Sequence, residues 1–240
     1  MRVGVFDSGI GGLTVLNEFI KVFPNNTYIY YGDNKNIPYG TKSLVEMKEL
    51  VSSIISFLLG KNVDIIVIAC GTISSNFYDE IKQVLNIPVY EVIGPTIRYI
   101  NKSNYENVAL LATPMTIKSN VFNKCNKNIT SIECPLIVPL IEGNNYGREL
   151  SLCIKKYLGN INDSGVDATI LGCTHYPIVK DIMKRYINTT FINMGEVLIS
   201  EINISNNSTF SLELYFTLID DNLKRNISRI VLVPYKLYKV

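Results

Sequence analysis

Two short segments, Ala69-Cys70-Gly71-Thr72 and Gly172-Cys173-Thr174-His175, each place a cysteine at the end of an apolar run of strand type and ahead of a segment of helical period. A thiol in that position faces the backbone N–H groups and positive end of a helix, which can lower its pKa and make a thiolate base or nucleophile available near neutral pH. Two such cysteines, one from each half of the chain, would face each other across a cleft. Inverting a stereocentre requires that a proton leave one face of a carbon and that another arrive at the opposite face. Two opposed acid/base groups suffice, one as thiolate and one as thiol, with their states exchanging as the reaction reverses. One strand-end cysteine would be weak ground for this chemistry, and the matched pair strengthens it.

Other polar residues fall at the same kind of position. Asp7-Ser8, the stretch from Thr113 to Thr116, and Cys173-Thr174-His175 all follow strand-like runs, and in open parallel sheets ligands gather at the carboxyl ends of strands. Asp7 has two compatible readings, a helix-capping carboxylate and an acid/base partner. His175 is the one histidine of the chain. Together with Cys173 it offers two metal ligands, but without a second closely spaced pair the usual zinc patterns are not met. Gly9-x-Gly11-Gly12 matches neither the dinucleotide fingerprint nor the P-loop. Cys125, Cys134 and Cys153 read as small buried hydrophobes. Five widely spaced cysteines, with no C-x-x-C pair, do not suggest a disulfide framework.

The elements that must hold these residues alternate short Val/Ile-rich runs with helical patterns, the signature of parallel strands and crossover helices. The class is α/β. Residues 3–6 read as a strand, and Leu13, Leu16, Phe19, Ile20 and Phe23 mark one face of a helix that Pro24 stops. Residues 28–31 give a second strand, and Ser43-Leu44-Val45-Glu46 is a capping box opening a helix that Gly60 ends. Residues 63–70 form a nearly continuous apolar run, as in strands buried on both faces. A shorter strand covers residues 87–92, and Gly94-Pro95 punctuates the chain. A second series then begins at Val108. Val3 and Val108 stand 105 residues apart, and Val63-Asp64 and Val166-Asp167 stand 103 apart with each cysteine at the same distance beyond its Asp. This predicts a duplicated half-molecule. The expected division is one α/β domain of residues 1–94 joined by a returning tail from about 206 to 240, and a second of residues 95–205. Within the tail, 212–218 reads as a strand and 220–233 as a helix.

Lys and Arg total 23 against 21 Asp and Glu, and no basic stripe forms, so nucleic acid is not an expected partner. No apolar run approaches the roughly 20 residues of a membrane span, and residues 1–6 read directly into a strand rather than a signal core. A cytoplasmic protein is expected.

The order and spacing of Asp7-Ser8-Gly9-Ile10-Gly11-Gly12-Leu13-Thr14-Val15, Pro38-Tyr39-Gly40, Ala69-Cys70-x-Thr72 and Leu171-Gly172-Cys173-Thr174-His175-Tyr176-Pro177 resemble the glutamate racemase family. Pro139-Leu140-Ile141-Glu142 and Thr116-Ile117-Lys118-Ser119-Asn120 add to a similarity that runs to about residue 200. The resemblance implies two similar domains related by a pseudo-twofold, a site in the cleft between them, no organic cofactor or metal, and provision of D-glutamate for peptidoglycan. It implies that Cys70 takes the α-proton of the D-enantiomer and Cys173 that of the L-enantiomer, assisted by Asp7 and His175 respectively. Ser8, Gly71, Thr72, Thr116 and Thr174 would bind substrate, and Pro38, Tyr39 and Gly40 would wall its side-chain carboxylate. Glu142 is either a substrate or supporting contact or a solvated charge. A homodimer is expected from the resemblance alone. The chain departs from the family at Gly71, where Asn is usual, at Pro114, at Asn193-Met194-Gly195, and beyond about residue 205. Gly71 removes an amide expected to touch substrate, which leaves room for a racemase of aspartate or another small acid, or a silent relative that binds an acidic amino acid.

Overall fold

A computed structural model describes residues 1–159, 161, 165–206 and 209–240. The first half runs β1 (Arg2–Asp7), α1 (Gly12–Val22), β2 (Thr27–Gly32), α2 (Leu44–Gly60), β3 (Ile65–Ile68), α3 (Gly71–Val84), β4 (Val89–Glu91) and α4 (Ile93–Lys102). The second continues with β5 (Asn107–Ala112), α5 (Pro114–Lys118), β6 (Asn128–Glu133), α6 (Ile137–Glu142), α7 (Arg148–Gly159), β7 (Ala168–Leu171), α8 (Lys180–Met183), β8 (Thr190–Asn193) and α9 (Met194–Glu201). The chain closes with β9 (Ser211–Phe216), α10 (Asp221–Ile230) and β10 (Lys236–Lys239).

The class is α/β, with two parallel sheets of order β10-β9-β2-β1-β3-β4 and β6-β5-β7-β8. The order 2-1-3-4 of the first sheet recurs as 6-5-7-8 in the second, so the internal repeat extends from sequence to strand order. It extends to side chains as well. Asp64 and Asp167, the paired residues ahead of β3 and β7, both accept from the N–H that opens the neighbouring strand, Arg2 in one sheet (2.7 Å) and Asn107 in the other (2.9 Å).

The apolar runs form buried strands because both faces are covered. In β3, Ile65 and Val67 join a large core that spans both halves, while Ile66 and Ile68 join a second layer with Met47, Val51, Ile54 and Leu58 of α2. The capping box at Ser43 and Glu46 is formed, with Ser43 Oγ accepting from the Glu46 N–H. Helix α1 runs close to α9, and an added Cβ at Gly195 would lie 3.3 Å from the Val15 Cα. Small side chains at this crossing let the two halves approach.

Two features differ from the sequence reading. The helix expected after Cys173 is a 3₁₀ turn, Tyr176–Val179, followed by the four-residue α8. The last strand, β10, was not foreseen. It lies parallel to β9 at the sheet edge, where an alternation of Lys and larger residues gives little apolar signal. The start of the tail at about 206 includes residues 207 and 208, which lie outside the described residues. Among the described residues, no helix is long and apolar enough to cross a membrane.

Candidate active site

The site is made from the turns that leave the carboxyl ends of the adjacent strands β1 and β3 in one sheet and β5 and β7 in the other. Strand β1 ends at Asp7 and turns through Ser8 to Gly11 into α1, while β3 runs into Cys70, the N-cap residue of α3. From the other half, β5 runs into Thr113, which caps α5, and β7 runs into Gly172 and Cys173. The glycine-rich turn serves close approach between halves rather than phosphate binding. A Cβ on Gly11 would meet His175 Nδ1 at 2.3 Å and Thr174 Oγ1 at 2.5 Å, and one on Gly71 would meet the Gly172 carbonyl oxygen at 2.8 Å. All three distances are shorter than real Cβ contacts allow, so a side chain at either position requires its surroundings to shift.

A narrow cleft between the turns, about 420 Å³ counted out to its open mouth, is lined by both Cys70 and Cys173. Ser8, Gly71, Thr72, Thr174 and His175 share the lining, and Pro38, Tyr39 and Gly40 form one wall. The Tyr39 phenol turns out of the cleft and donates to Asp33 Oδ2 at 2.6 Å, so what this wall presents is mostly backbone and ring. Ile37-Pro38 is a cis peptide bond.

The two sulfurs have different surroundings. The Cys70 thiol donates to Ser8 Oγ at 3.7 Å. Burial pushes its pKa up to about 12, with the Asp7 charge adding to the effect and the Ile73 N–H opposing it. The expectation that a helix terminus would lower this pKa therefore fails, because desolvation of a thiolate outweighs one backbone donor. Cys173 Sγ lies 3.7 Å from His175 Nδ1, and His175 Nε2 lies 2.7 Å from Glu142 Oε1. Burial acts to lower the His175 pKa, but its hydrogen bonds to Cys173 and Glu142, and the charges there, prevail and hold it well above the usual histidine value. The imidazole is buried. With the Nε2–H donated to Glu142, Nδ1 is free to trade a proton with the sulfur.

Asp7 and Thr116 sit outside the lining. Asp7 is fully buried beneath it, where its carboxylate accepts from the Gly9 N–H at 2.8 Å and from Thr174 Oγ1 at 2.9 Å. Burial raises its pKa, and the nearby His175 works against that rise. Its hydrogen bonds thus reach across to the Cys173 turn, whereas the partner of Cys70 is Ser8. Thr116 reaches the cleft through Thr113, whose hydroxyl bridges Thr116 (3.0 Å) and Thr72 (2.9 Å). Thr113 belongs to the strand-end stretch that the sequence marks, but the substrate contact was expected at Thr116, whereas Thr113 is the one that lines the cleft. Glu142, left open as a solvated charge, is instead nearly buried and also accepts from the Ile10 N–H at 2.9 Å. Among the described residues no group of three or more His, Cys, Asp or Glu side chains is placed to hold a metal ion.

Residues 14–202 match the family model described as Asp/Glu/hydantoin racemase. The chain is 38% identical over 198 residues to the glutamate racemase of Clostridium novyi (strain NT), covering 78% of this chain and 75% of that one. Among solved structures, a glutamate racemase isoform from Bacillus anthracis aligns with a TM-score of 0.90 at 26% identity, covering 100% of this chain and 97% of the other. The glutamate racemase of Francisella tularensis subsp. tularensis SCHU S4, solved in complex with D-glutamate, aligns with a TM-score of 0.86 at 32% identity, covering 100% and 97%. Motifs, repeated sheets and these likenesses agree, and the chain belongs to the Asp/Glu/hydantoin racemase family.

Proposed function

We propose that this chain interconverts L- and D-glutamate by two-base proton transfer, Cys173 serving the L-enantiomer and Cys70 the D-enantiomer, and that it supplies D-glutamate for peptidoglycan. The observation that carries this reading is the presence of two cysteines, from equivalent positions of a repeated sheet, in the lining of one cleft. With L-glutamate bound, the Cys173 thiolate takes the α-proton and its bonding electrons stay on Cα. The Cys70 thiol then delivers its proton to the opposite face and is left as thiolate. The high pKa of Cys70 suits the donor role, since the thiol stays protonated until the carbanion forms.

The hydroxyls of Ser8, Thr72 and Thr174 and the backbone at Gly71 offer donors to the α-carboxylate, where negative charge develops as the proton leaves. Thr116 acts through Thr113. The Pro38-Tyr39-Gly40 wall faces the side-chain carboxylate. His175 accepts and returns the Cys173 proton, and Glu142 fixes its orientation. Asp7 holds Thr174 and the Ser8 turn in place. In this reading the halves are domains of residues 1–94 with 206–240 and residues 95–205, and substrate closes between them.

The glutamate assignment rests on the relatives' substrate and on the matching motifs. A steady-state assay with L- and D-glutamate and no added cofactor should show racemisation in both directions. The same assay on an amino-acid panel should rank glutamate first, and a clear preference for aspartate or another acid would replace the substrate. Binding of an acidic amino acid without α-proton exchange would replace the activity.

A further inference from the structure

Glu142 faces two ways. Its Oε1 takes the His175 Nε2–H and the Ile10 N–H, leaving its other oxygen out of both bonds. The same side chain lines a second cavity, which also includes Asn34, Asp220 and Asn222 and spans about 690 Å³ counted out to its mouth. Pro38 and Val138 line this cavity and the substrate cleft alike, so the two spaces share a wall, and Glu142 belongs only to the rear one. The His175 side chain is 2% exposed, whereas that of Glu142 is 9% exposed. A continuous series of short contacts therefore leads from the Cys173 sulfur to water on the side away from substrate: 3.7 Å to His175, then 2.7 Å to Glu142.

A two-base racemase ends each turnover with its two groups in the wrong states for a second substrate of the same hand. We infer that the rear cavity is the port through which the Cys173 site exchanges its proton with solvent between turnovers, a reading that rests on the two-cysteine mechanism proposed above. After L-glutamate has become D-glutamate, Cys173 is a thiol and Cys70 a thiolate. The Cys173 S–H bond breaks and its proton passes to His175 Nδ1. The Nε2 proton moves to Glu142 Oε1, and Glu142 releases a proton to water in the rear cavity. Cys70 recovers one proton from water entering the vacated cleft. One proton leaves and one enters, which restores the charge, and a shift of the remaining imidazole proton from Nδ1 back to Nε2 through water in the vacated cleft restores the starting tautomer. Without the port, both exchanges would have to await water in the same narrow cleft, which substrate refills.

The test is a tracer perturbation. A trace of labelled glutamate is brought to equilibrium between its enantiomers, and a large excess of unlabelled L-glutamate is added. Label displaced transiently from equilibrium reports slow reset of the free enzyme. The wild-type chain should show little displacement. Asn222→Trp, which obstructs the rear cavity, should show displacement corresponding to a reset slowed on the order of 10-fold or more, while racemisation at substrate far below KM stays unchanged. Asn222→Ala should behave as wild type. Glu142→Gln retains an oxygen for His175 but cannot relay a proton, and it should show the same displacement whatever its rate of chemistry. Reset as fast as wild type in Asn222→Trp and Glu142→Gln, with both still racemising, overturns the port, as does equal displacement in Asn222→Ala. If Asn222→Trp does not fold, Glu142→Gln decides alone. Failure of the wild-type chain to racemise glutamate would instead overturn the proposed activity.

Discussion

The first half brings to the cleft a buried thiol whose hydrogen-bond partner is a serine hydroxyl, and the second brings a sulfur backed by His175 and Glu142. Strand order, the Asp that opens each central pair and the position of each cysteine all repeat, but the groups that handle protons do not. The substrate explains why the difference is tolerated. In the proposed reaction the two enantiomers present mirror-related Cα–H bonds, which calls for sulfurs opposed in space but does not require that each gain and lose its proton by the same route.

In the proposed two-base reaction each turnover uses both sulfurs, so removing either should abolish it in both directions. Cys70→Ala and Cys173→Ala are expected to lower racemisation by about 10³-fold or more, measured by circular dichroism of the product, with the far-ultraviolet spectrum unchanged. A variant of either kind with undiminished turnover would dissolve the comparison.

His175→Asn should cost less, on the order of 10²-fold. Since the enantiomers are equal in energy, kcat/KM must fall equally in the two directions, and the asymmetry has to be read elsewhere. The primary isotope effect should grow more with L-[2-²H]glutamate than with D-[2-²H]glutamate, because proton removal by Cys173 has become the harder step. Equal growth from both sides would mean that His175 serves the two sulfurs alike.

Gly71→Ala examines the seam where the two cysteine turns touch. A methyl group there meets a backbone carbonyl at 2.8 Å, and the contact cannot be relieved by rotating a side chain. Overpacking of this kind costs about 1–3 kcal/mol, so the midpoint of urea unfolding should fall, and activity with it as the sulfurs are pushed apart. A stable and fully active Gly71→Ala would show that the turns can separate without harm. Replacement by Asn, usual at this position in the family, has to meet the same carbonyl. The departure at Gly71 is thus matched by the backbone around it, which the sequence alone did not reveal.

The strands and the cysteine pair were legible because burial on both sheet faces writes a continuous apolar run, and because the repeat doubled each signal. Most proposed substrate contacts were legible as motifs. The sequence misled where the outcome depends on a balance of energies or on a distant partner. A helix N-terminus suggested a lowered thiol pKa at Cys70, but desolvation is the larger effect. The resemblance pairs Asp7 with Cys70, and its charge does act on that thiol, but its hydrogen bond to Thr174, 167 residues away, could not be read from the sequence. Glu142 lies in a segment that resembles the family, but that pattern left its role open, because the role depends on where α6 ends relative to His175. β10 escaped because an edge strand buries one margin and needs little hydrophobicity.

The smallest effect separates burial of Cys70 from its chemistry. A thiol whose pKa rises from 9.0 to about 12 on folding binds its proton more tightly in the folded chain. Its contribution to stability is complete below pH 9 and is lost as the pH climbs from 9 toward 12, because the unfolded chain gives up the proton first. Once well above pH 9 the loss approaches about 1.4 kcal/mol per pH unit. Tyrosines and lysines titrate in the same range, so the useful quantity is the difference between wild type and Cys70→Ala in urea unfolding at pH 8, 9 and 10. The stability of the wild type relative to the variant should be constant between pH 8 and the onset of titration and should then decline. A difference independent of pH would mean that water reaches Cys70 in the folded state. The proposed donor would then lose its proton as readily as a free cysteine, and the contrast between the two sulfurs would have to rest on His175 and Glu142 alone.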